Sequence, residues 1–271
     1  MAAPTALDLL WGTRDRPRRG PRPSLSLDRI VAEAIALADG EGLANLSMQH
    51  LAERLGCAKM ALYRYVPGKS ELVALMVDTA LGDPPDPAAP TSPDPPAPTS
   101  PEQTSLASQT GRTPASGEQQ WRAVLRLWAT TINARYRLHP WAIDATAGAR
   151  PTGPHEMAWM ETALGALAGT GLTGPERLDA VALLNGHVRS LVQVTPAGQH
   201  DLETEMARQI GAALAANPDR YPQVLAAFSE SPQPAGRDNA LDFGIDRILD
   251  GLAALIATRE PPPPRSSSAS S

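Results

Sequence analysis

The chain has 271 residues, 42% of them apolar, and a net charge of −5, so it is long enough for two domains with separate cores. The acidic excess, taken alone, argues against a nucleic-acid-binding protein. No stretch approaches the ~20 apolar residues that span a bilayer, and the N-terminus lacks the apolar run of a signal peptide. No membrane association is therefore expected.

A run of arginines precedes the first predicted helix. Residues 14–22 hold five arginines and one aspartate, interrupted by prolines that prevent a helix. Flexible arginine arms suit the minor groove of DNA, so Arg18 and Arg19 are candidate DNA contacts in a basic arm over residues 1–23. The alternative is a tail that only improves solubility. The apolar cluster at 9–11 could dock on the rest of the protein.

Four short helices are predicted after the arm. Apolar residues at helical spacing indicate a helix over about 27–39, which two glycines end. Ser47 can cap a second helix, and Gly56 marks a tight turn into a third helix over about 58–65. A fourth helix follows over 70–81. The first three form a compact helix-turn-helix unit.

The third of these helices carries side chains suited to a DNA groove. Lys59 can donate to guanine edges or to phosphate, and Met60 can contact a thymine methyl. The hydroxyls of Tyr63 and Tyr65 can bind phosphates, and Lys69 adds a positive charge at the start of the next helix, where the helix dipole favours an anion. For any one of these residues, ordinary packing or surface solvation is the alternative, but their combination favours a DNA-binding surface.

Two motifs here resemble the DNA-binding head of the tetracycline-repressor (TetR) family. They are Leu-Ala-Glu-Arg-Leu-Gly at 51–56 and Leu-Tyr-Arg-Tyr-Val-Pro-Gly-Lys-Ser-Glu-Leu at 62–72. The resemblance covers about 24–82. It implies a homodimeric transcriptional regulator, usually a repressor that a small ligand releases from a palindromic operator in double-stranded DNA.

The resemblance also assigns roles to single positions. Phosphate contacts in the family fall on Ser47, Tyr63, Tyr65 and Lys69, and base contacts fall on Gln49, Lys59 and Met60. Gln49 stands where several members carry arginine, and glutamine suits adenine rather than guanine.

The distribution of charge is compatible with DNA binding despite the acidic total. Residues 1–82 carry 10 Lys/Arg against 9 Asp/Glu, a net charge of +1, and the remainder carries −6. Within the first segment the basic groups cluster in the arm and on the third helix, which makes the local field positive there. Cys57 is the only cysteine, which excludes an intrachain disulfide and favours a reducing, cytoplasmic location.

A change in composition separates the first domain, 24–82, from the rest. Residues 83–117 contain ten prolines and little that could be buried, so a disordered linker is expected. Helical periodicity returns over 118–258, and a disordered tail is expected at 259–271. The predicted body helices span about 118–138, 140–147, 154–169, 175–194, 200–217, 219–229 and 238–258. The predicted fold class is all-α, a helix-turn-helix head followed by a ligand-binding and dimerisation bundle.

The last predicted helix is apolar on two sides. One side carries Leu241, Ile245, Ile248, Leu252 and Leu255, and the other carries Phe243, Leu249 and Ile256. Such a helix needs two neighbours, and we expect these to be its own bundle and a second copy of the chain, with helix 175–194 as the partner in a four-helix interface. A central core helix in a monomer is the alternative. Residues 138–141 and 243–252 look like the ligand domain of one TetR subgroup.

Aromatic, methionine and polar side chains on the bundle helices are candidates for an apolar or aromatic ligand pocket. They are Trp128, Trp141, Met157, Met160, Asn185 and His187, although aromatic and methionine residues at helical spacing are more often plain core. The five histidines show no metal-ligand spacing, no phosphate loop or nucleophile elbow is present, and no cofactor or catalytic residue is expected. A regulator controlled by a protein partner, or a helical enzyme with a DNA-binding head, are the alternatives.

Overall fold

The computed structural model describes residues 5–12, 25–86, 117–147, 150–194, 208–214, 216–217, 219–229 and 239–259. Within these ranges every regular element is a helix, which confirms the predicted fold class. Arg18, Arg19, most of the proline-rich segment and the C-terminal tail lie outside the described residues.

Eleven of the twelve helices in the described ranges correspond to predicted helices, whereas the first lies within the segment 1–23 that was predicted as a flexible arm. The helices are α1 (Ala6–Trp11), α2 (Leu27–Glu41), α3 (Met48–Leu55), α4 (Lys59–Leu62), α5 (Lys69–Leu81), α6 (Gly117–Leu138), α7 (Trp141–Ala145), α8 (Pro154–Ala166), α9 (Gly174–Val194), α10 (208–214), α11 (Pro222–Ser229) and α12 (Asn239–Ala257), with a 3-10 turn at Leu43–Asn45.

Side-chain caps and glycines fix the ends of the first helices. The Ser47 hydroxyl accepts a hydrogen bond from the His50 amide at 3.1 Å, which satisfies one free donor of α3. Gly42 and Gly56 end α2 and α3 with φ of 83° and 64°, a backbone conformation that favours glycine. The helix predicted over 58–65 is shorter than expected, because after Leu62 the chain closes into a turn ahead of a proline.

The head, which we define as residues 25–82, is held together by an apolar core. Ile30, Leu37, Leu51, Leu62 and Leu72 are each fully buried there. They come from α2, α3, α4 and α5, so each helix contributes one apolar face to the same centre. The outer surfaces of α3 and α4 consequently remain free.

The body, residues 117–259, is a bundle in which α6 and α9 pack against each other and α12 packs against both. Ile245 and Leu249 of α12 are buried against the bundle. Arg122 and Arg126 of α6 form ion pairs with Asp250 and Asp246 of α12. These pairs fix the position of α12 along α6.

Head and body share one continuous core. Helix α5 contacts α6, α7 and α8, and the Trp159 indole N–H donates to the Gly82 carbonyl at 2.8 Å. Helix α1 packs on α5 with Leu10 buried, and the Trp11 indole donates to the Thr152 carbonyl at 3.0 Å. The N-terminal apolar cluster at 9–11 therefore docks on α5 and on the body.

Candidate nucleic-acid interface and ligand site

The surface of α4 is built by burying one side chain and exposing its neighbours. Leu62 is fully buried, whereas Met60 is 73% and Tyr63 38% exposed. Lys59 is also exposed, and its Nζ lies 5.9 Å from the centre of the Tyr63 ring, within range of a cation–π contact. The structure thus brings a cation, a thioether and a phenol together on one face, as the sequence predicts.

Helix α3 and the start of α5 flank this face. Gln49 is exposed and donates to the Glu53 carboxylate at 2.7 Å, a bond that it would exchange on meeting a base edge. The Ser47 oxygen accepts the α3 cap and keeps its own O–H to donate. Lys69 is exposed at the first position of α5, where no side chain caps the helix. Its Nζ donates to the Leu43 carbonyl at 3.4 Å, so a phosphate bound at the free amides of α5 would compete with that carbonyl for the ammonium.

Tyr65 is arranged differently from the other predicted phosphate contacts. Its side chain is half-buried, and its hydroxyl donates to the Leu25 carbonyl at 3.0 Å. A bond from this hydroxyl to a phosphate would require that contact to break. In the described state Tyr65 therefore ties the start of α2 to the end of the helix-turn-helix, and Arg64, which was absent from the predicted site, is exposed beside it.

The interior of the body contains a polar cluster. Tyr136 of α6 lies close to Asn185 and Arg189 of α9. Burial raises the pKa of the Tyr136 phenol, and the nearby Arg189 and Asn185 side chains oppose that rise. Arg189 also donates to the Thr146 hydroxyl at 2.7 Å and to the Ile143 carbonyl at 3.0 Å, which links this cluster to α7.

Two acceptors near this cluster have no hydrogen-bond partner. The side-chain oxygens of Asn133 and Asn185 are buried and unpaired, as are the Nε atoms of Arg150 and Arg177. Leaving a buried polar group unpaired costs roughly 1–3 kcal/mol, so native proteins contain few of them.

The structure does not gather the predicted ligand residues into one site. Trp128 is packed in the core, where its indole N–H donates a hydrogen bond to the Trp159 carbonyl at 2.8 Å. Trp141 lies where the body meets the head, and its indole N–H donates to the Asp39 carboxylate. Met157 and Met160 are 44% and 40% exposed. His187 lies between α9 and α12, over Gly244, with Nε2 3.2 Å from the Leu241 carbonyl oxygen.

Of those six residues, only Asn185 belongs to the polar cluster, and sequence reasoning missed its neighbours Asn133, Tyr136 and Arg189. A signal for them was present. Asn133 and Tyr136 stand three apart on α6, and Asn185 and Arg189 stand four apart on α9, spacings that place each pair on one side of its helix. Polar pairs on otherwise apolar faces indicate a buried polar site.

Other site classes gain no support from the described part of the chain. No helix there is long and apolar enough to cross a membrane. Among the same residues, no group of three or more His, Cys, Asp or Glu side chains could hold a metal ion.

Comparisons with known proteins agree with both halves of this architecture. Residues 30–76 match the model of the bacterial regulatory proteins of the tetR family, and residues 113–256 match the tetracyclin repressor-like C-terminal domain. The chain is 37% identical over 264 residues to the HTH-type transcriptional repressor DrrR1 of Streptomyces coeruleorubidus, covering 93% of this chain and 86% of that protein. An HTH-type transcriptional regulator of Saccharopolyspora erythraea is 27% identical, with 88% and 90% covered.

Solved structures show the same fold. The TetR family protein ActR of Streptomyces coelicolor, in complex with actinorhodin, superposes with a TM-score of 0.63 at 24% identity, covering 86% of this chain and 97% of ActR. With a helix-turn-helix head, an all-helical body and matches over both, the chain belongs to the TetR family of DNA-binding transcriptional regulators.

Proposed function

We propose that the protein is a homodimeric repressor in the cytoplasm that leaves a palindromic operator when a small apolar or aromatic ligand binds in its body. The observation that carries ligand control is the pair of buried, unpaired acceptors on Asn133 and Asn185. The DNA-binding part of the proposal is supported by the exposed face of Lys59, Met60 and Tyr63.

The proposed dimer interface is the outer face of α9 and α12, which pack side by side. Leu183 is 58% and Phe243 61% exposed on this face, and Gly186 and Gly251 have open space above their backbones. Large apolar groups around small residues allow the same two helices of a second copy to approach closely, as a four-helix interface with two-fold symmetry. Two heads related in this way would occupy half-sites ~34 Å apart or a multiple of it.

The proposed ligand site is centred on Asn133, Tyr136, Asn185 and Arg189. A ligand there would contact α6 and α9, and Arg189 connects this centre to α7 next to the head. A ligand that prefers one head–body arrangement shifts the population toward it. Because ActR was solved with actinorhodin, actinorhodin is the first compound to test.

The DNA-binding test is a footprint of the full-length protein on the DNA that flanks its own gene. We expect Tyr63→Phe to weaken binding to all duplexes about equally, because a lost phosphate contact carries no sequence information. Lys59→Ala should in addition relax the base preference, by roughly 1–3 kcal/mol if it meets a base edge. Unchanged affinity and preference in Lys59→Ala would show that α4 does not bind the bases.

Ligand control is tested by adding actinorhodin, and then a panel of small aromatic compounds, to the protein–operator complex. Release of the footprint by a compound that also binds the free protein supports the proposal. If no compound releases it, but deletion of residues 87–116 alters regulation in cells, control by a protein partner is the better explanation.

A further inference from the structure

Two aspartates of the head bind the body, one on each side of the joint. Asp78 lies on α5, with one carboxylate oxygen 2.8 Å from His155 Nδ1. Asp39 lies on α2, with one carboxylate oxygen 2.8 Å from His139 Nδ1. The two contacts share the same pair of residue types, but their surroundings differ.

The Asp78 contact is buried and closely packed. Its side chain is 5% exposed, and the same carboxylate accepts hydrogen bonds from the backbone amides of His155 at 2.9 Å and Glu156 at 3.3 Å. A Cβ on Gly153 would lie only 2.1 Å from Asp78 Oδ1. Breaking this contact would leave a buried charge and the first amides of α8 unpaired, so it holds the end of α5 in place.

The Asp39 contact is more accessible. Its side chain is 31% exposed, and a single oxygen, Oδ1, takes both His139 Nδ1 and the Trp141 indole N–H, the latter at 2.6 Å. His139 is 13% exposed and Trp141 is buried, but Asp39 and Trp141 both line an adjoining cavity, so water there can take over bonds to them when the contact opens. Asp39 also stands in the last turn of α2, which has no basic residue, and a carboxylate is unfavourable there because of the helix dipole.

Empty space adjoins the Asp39 contact. A cavity of about 480 Å³ is lined on the head side by Ala38 and Leu43 and on the body side by Trp141, Ile143 and Val192. The head can therefore move toward the body at this edge without a clash. At the Asp78 edge the close approach of Gly153 leaves no such room.

We propose that the head pivots on the body at the Asp78 contact. The Asp39 contact, which we call the catch, is a reversible contact that fixes the orientation of the head relative to the body. When the catch is closed, the head is held at two points and the recognition helices of a dimer have one preferred separation. When it opens, the head turns about the end of α5, and that separation varies. This inference rests on the proposed dimeric DNA-binding function, and it assigns a positioning role to Asp39, His139 and Trp141.

The test compares Asp39→Ala with Glu33→Ala in the full-length protein. Glu33 lies on the same helix and carries the same charge, but it pairs with Arg54 inside the head at 2.8 Å. The readout is affinity for operator duplexes whose half-site spacing differs by single base pairs. We expect Asp39→Ala to lower affinity at the preferred spacing about fivefold to tenfold and to flatten the preference, with the unfolding midpoint within about 2 °C of wild type. Glu33→Ala should keep the wild-type preference.

A second variant and a distance measurement keep the inference testable. Trp141→Phe retains the ring but removes the indole donor, so it should reproduce part of the flattened preference. Spin labels on Ala32→Cys in a Cys57→Ser background should show a broader distance distribution between the two heads when Asp39→Ala is added.

Three outcomes would contradict the proposed role of the Asp39 contact. They are an unchanged spacing profile in Asp39→Ala, an unchanged distance distribution, or a drop in its unfolding midpoint of more than about 5 °C, which would make the contact purely structural. Failure of the wild-type protein to prefer any duplex would instead contradict the proposed function, and the spin-label distances would still decide on the catch.

Discussion

The head and the body place their polar groups in opposite ways. In the head the core is apolar, and Lys59, Met60 and Tyr63 point outward from it. In the body Asn133 and Tyr136 are buried among apolar side chains. The one buried charged residue of the head, Asp78, accepts hydrogen bonds from the body.

The proposed function accounts for this difference by the size of what each part binds. DNA is larger than the head, so the groups that bind it must be outside, where exposure costs nothing. A small ligand can be enclosed, and the groups that bind it must then be desolvated before it arrives. The body consequently carries unpaired acceptors that lower its stability, whereas the head does not.

The largest expected effect comes from separating the two copies. Gly186→Arg places a long charged side chain at the centre of the proposed interface, in a position with open space in the single chain. We expect a folded monomer, and a loss of operator affinity of about two orders of magnitude, because the second head no longer benefits from a high effective concentration. Sedimentation and operator titration measure the two effects.

The matched control for this change is Gly165→Arg. Gly165 is an exposed glycine of α8 that also has open space around it, and it lies away from the proposed interface. This variant should remain a dimer with wild-type affinity. If Gly186→Arg and Gly165→Arg have the same oligomeric state and operator affinity, the outer faces of α9 and α12 do not form the dimer interface.

The next largest expected effect tests the contact between Asp78 of the head and the start of α8 in the body. In Gly153→Ala the added carbon would lie 2.1 Å from Asp78 Oδ1 and 2.3 Å from its carboxyl carbon. Asp78 would be pushed from the amides of α8, so we expect a loss of about 2–4 kcal/mol in the free energy of unfolding. Gly165→Ala, in the same helix, should be neutral or stabilise by up to ~1 kcal/mol. Chemical denaturation measures the free energy of unfolding of both variants. Equal values would show that Asp78 and α8 can move apart at little cost.

A smaller effect tests whether the unpaired acceptors of the body serve a ligand. Asn185→Leu removes a buried oxygen that has no partner, so the free energy of unfolding should stay within about 1 kcal/mol of wild type or rise. Operator affinity should be unchanged, while a compound that releases the wild-type protein from its operator should be needed at about tenfold higher concentration or more to release this variant. A large loss of stability would mean that this oxygen is paired in solution, and the proposed ligand site would lose its main support.

The sequence predicted the head better than the body for a physical reason. Helix ends depend on local groups, such as the Ser47 cap and the left-handed Gly56, and these can be identified from neighbouring residues. The outward position of Lys59 and Met60 follows from the single buried Leu62. By contrast, Tyr65 was assigned to phosphate because nothing local shows that its hydroxyl reaches Leu25, 40 residues earlier.

The contacts that join the body to the head connect distant parts of the chain. Asp39 meets Trp141 across 102 positions, and Asp78 meets His155 across 77. Helical periodicity gives the faces of α6 and α9 but not which of their polar residues face each other. His187 illustrates the limit, since its spacing fits a cavity wall but the ring packs over Gly244 of α12.

The smallest effect is the pH dependence of the buried phenol of the body. Burial raises the pKa of Tyr136, whereas in the unfolded chain a tyrosine titrates near 10. Above pH 10 the unfolded state therefore loses this proton while the folded state keeps it, and the stability that Tyr136 contributes is lost as pH rises. Tyr136→Phe should be less stable than wild type by about 1 kcal/mol at pH 7, and this gap should narrow above pH 10. The matched control is Tyr221→Phe, at an exposed position. A constant gap between Tyr136→Phe and wild type across the alkaline range would mean that the interior of the body is open to solvent, and its contrast with the head would then disappear.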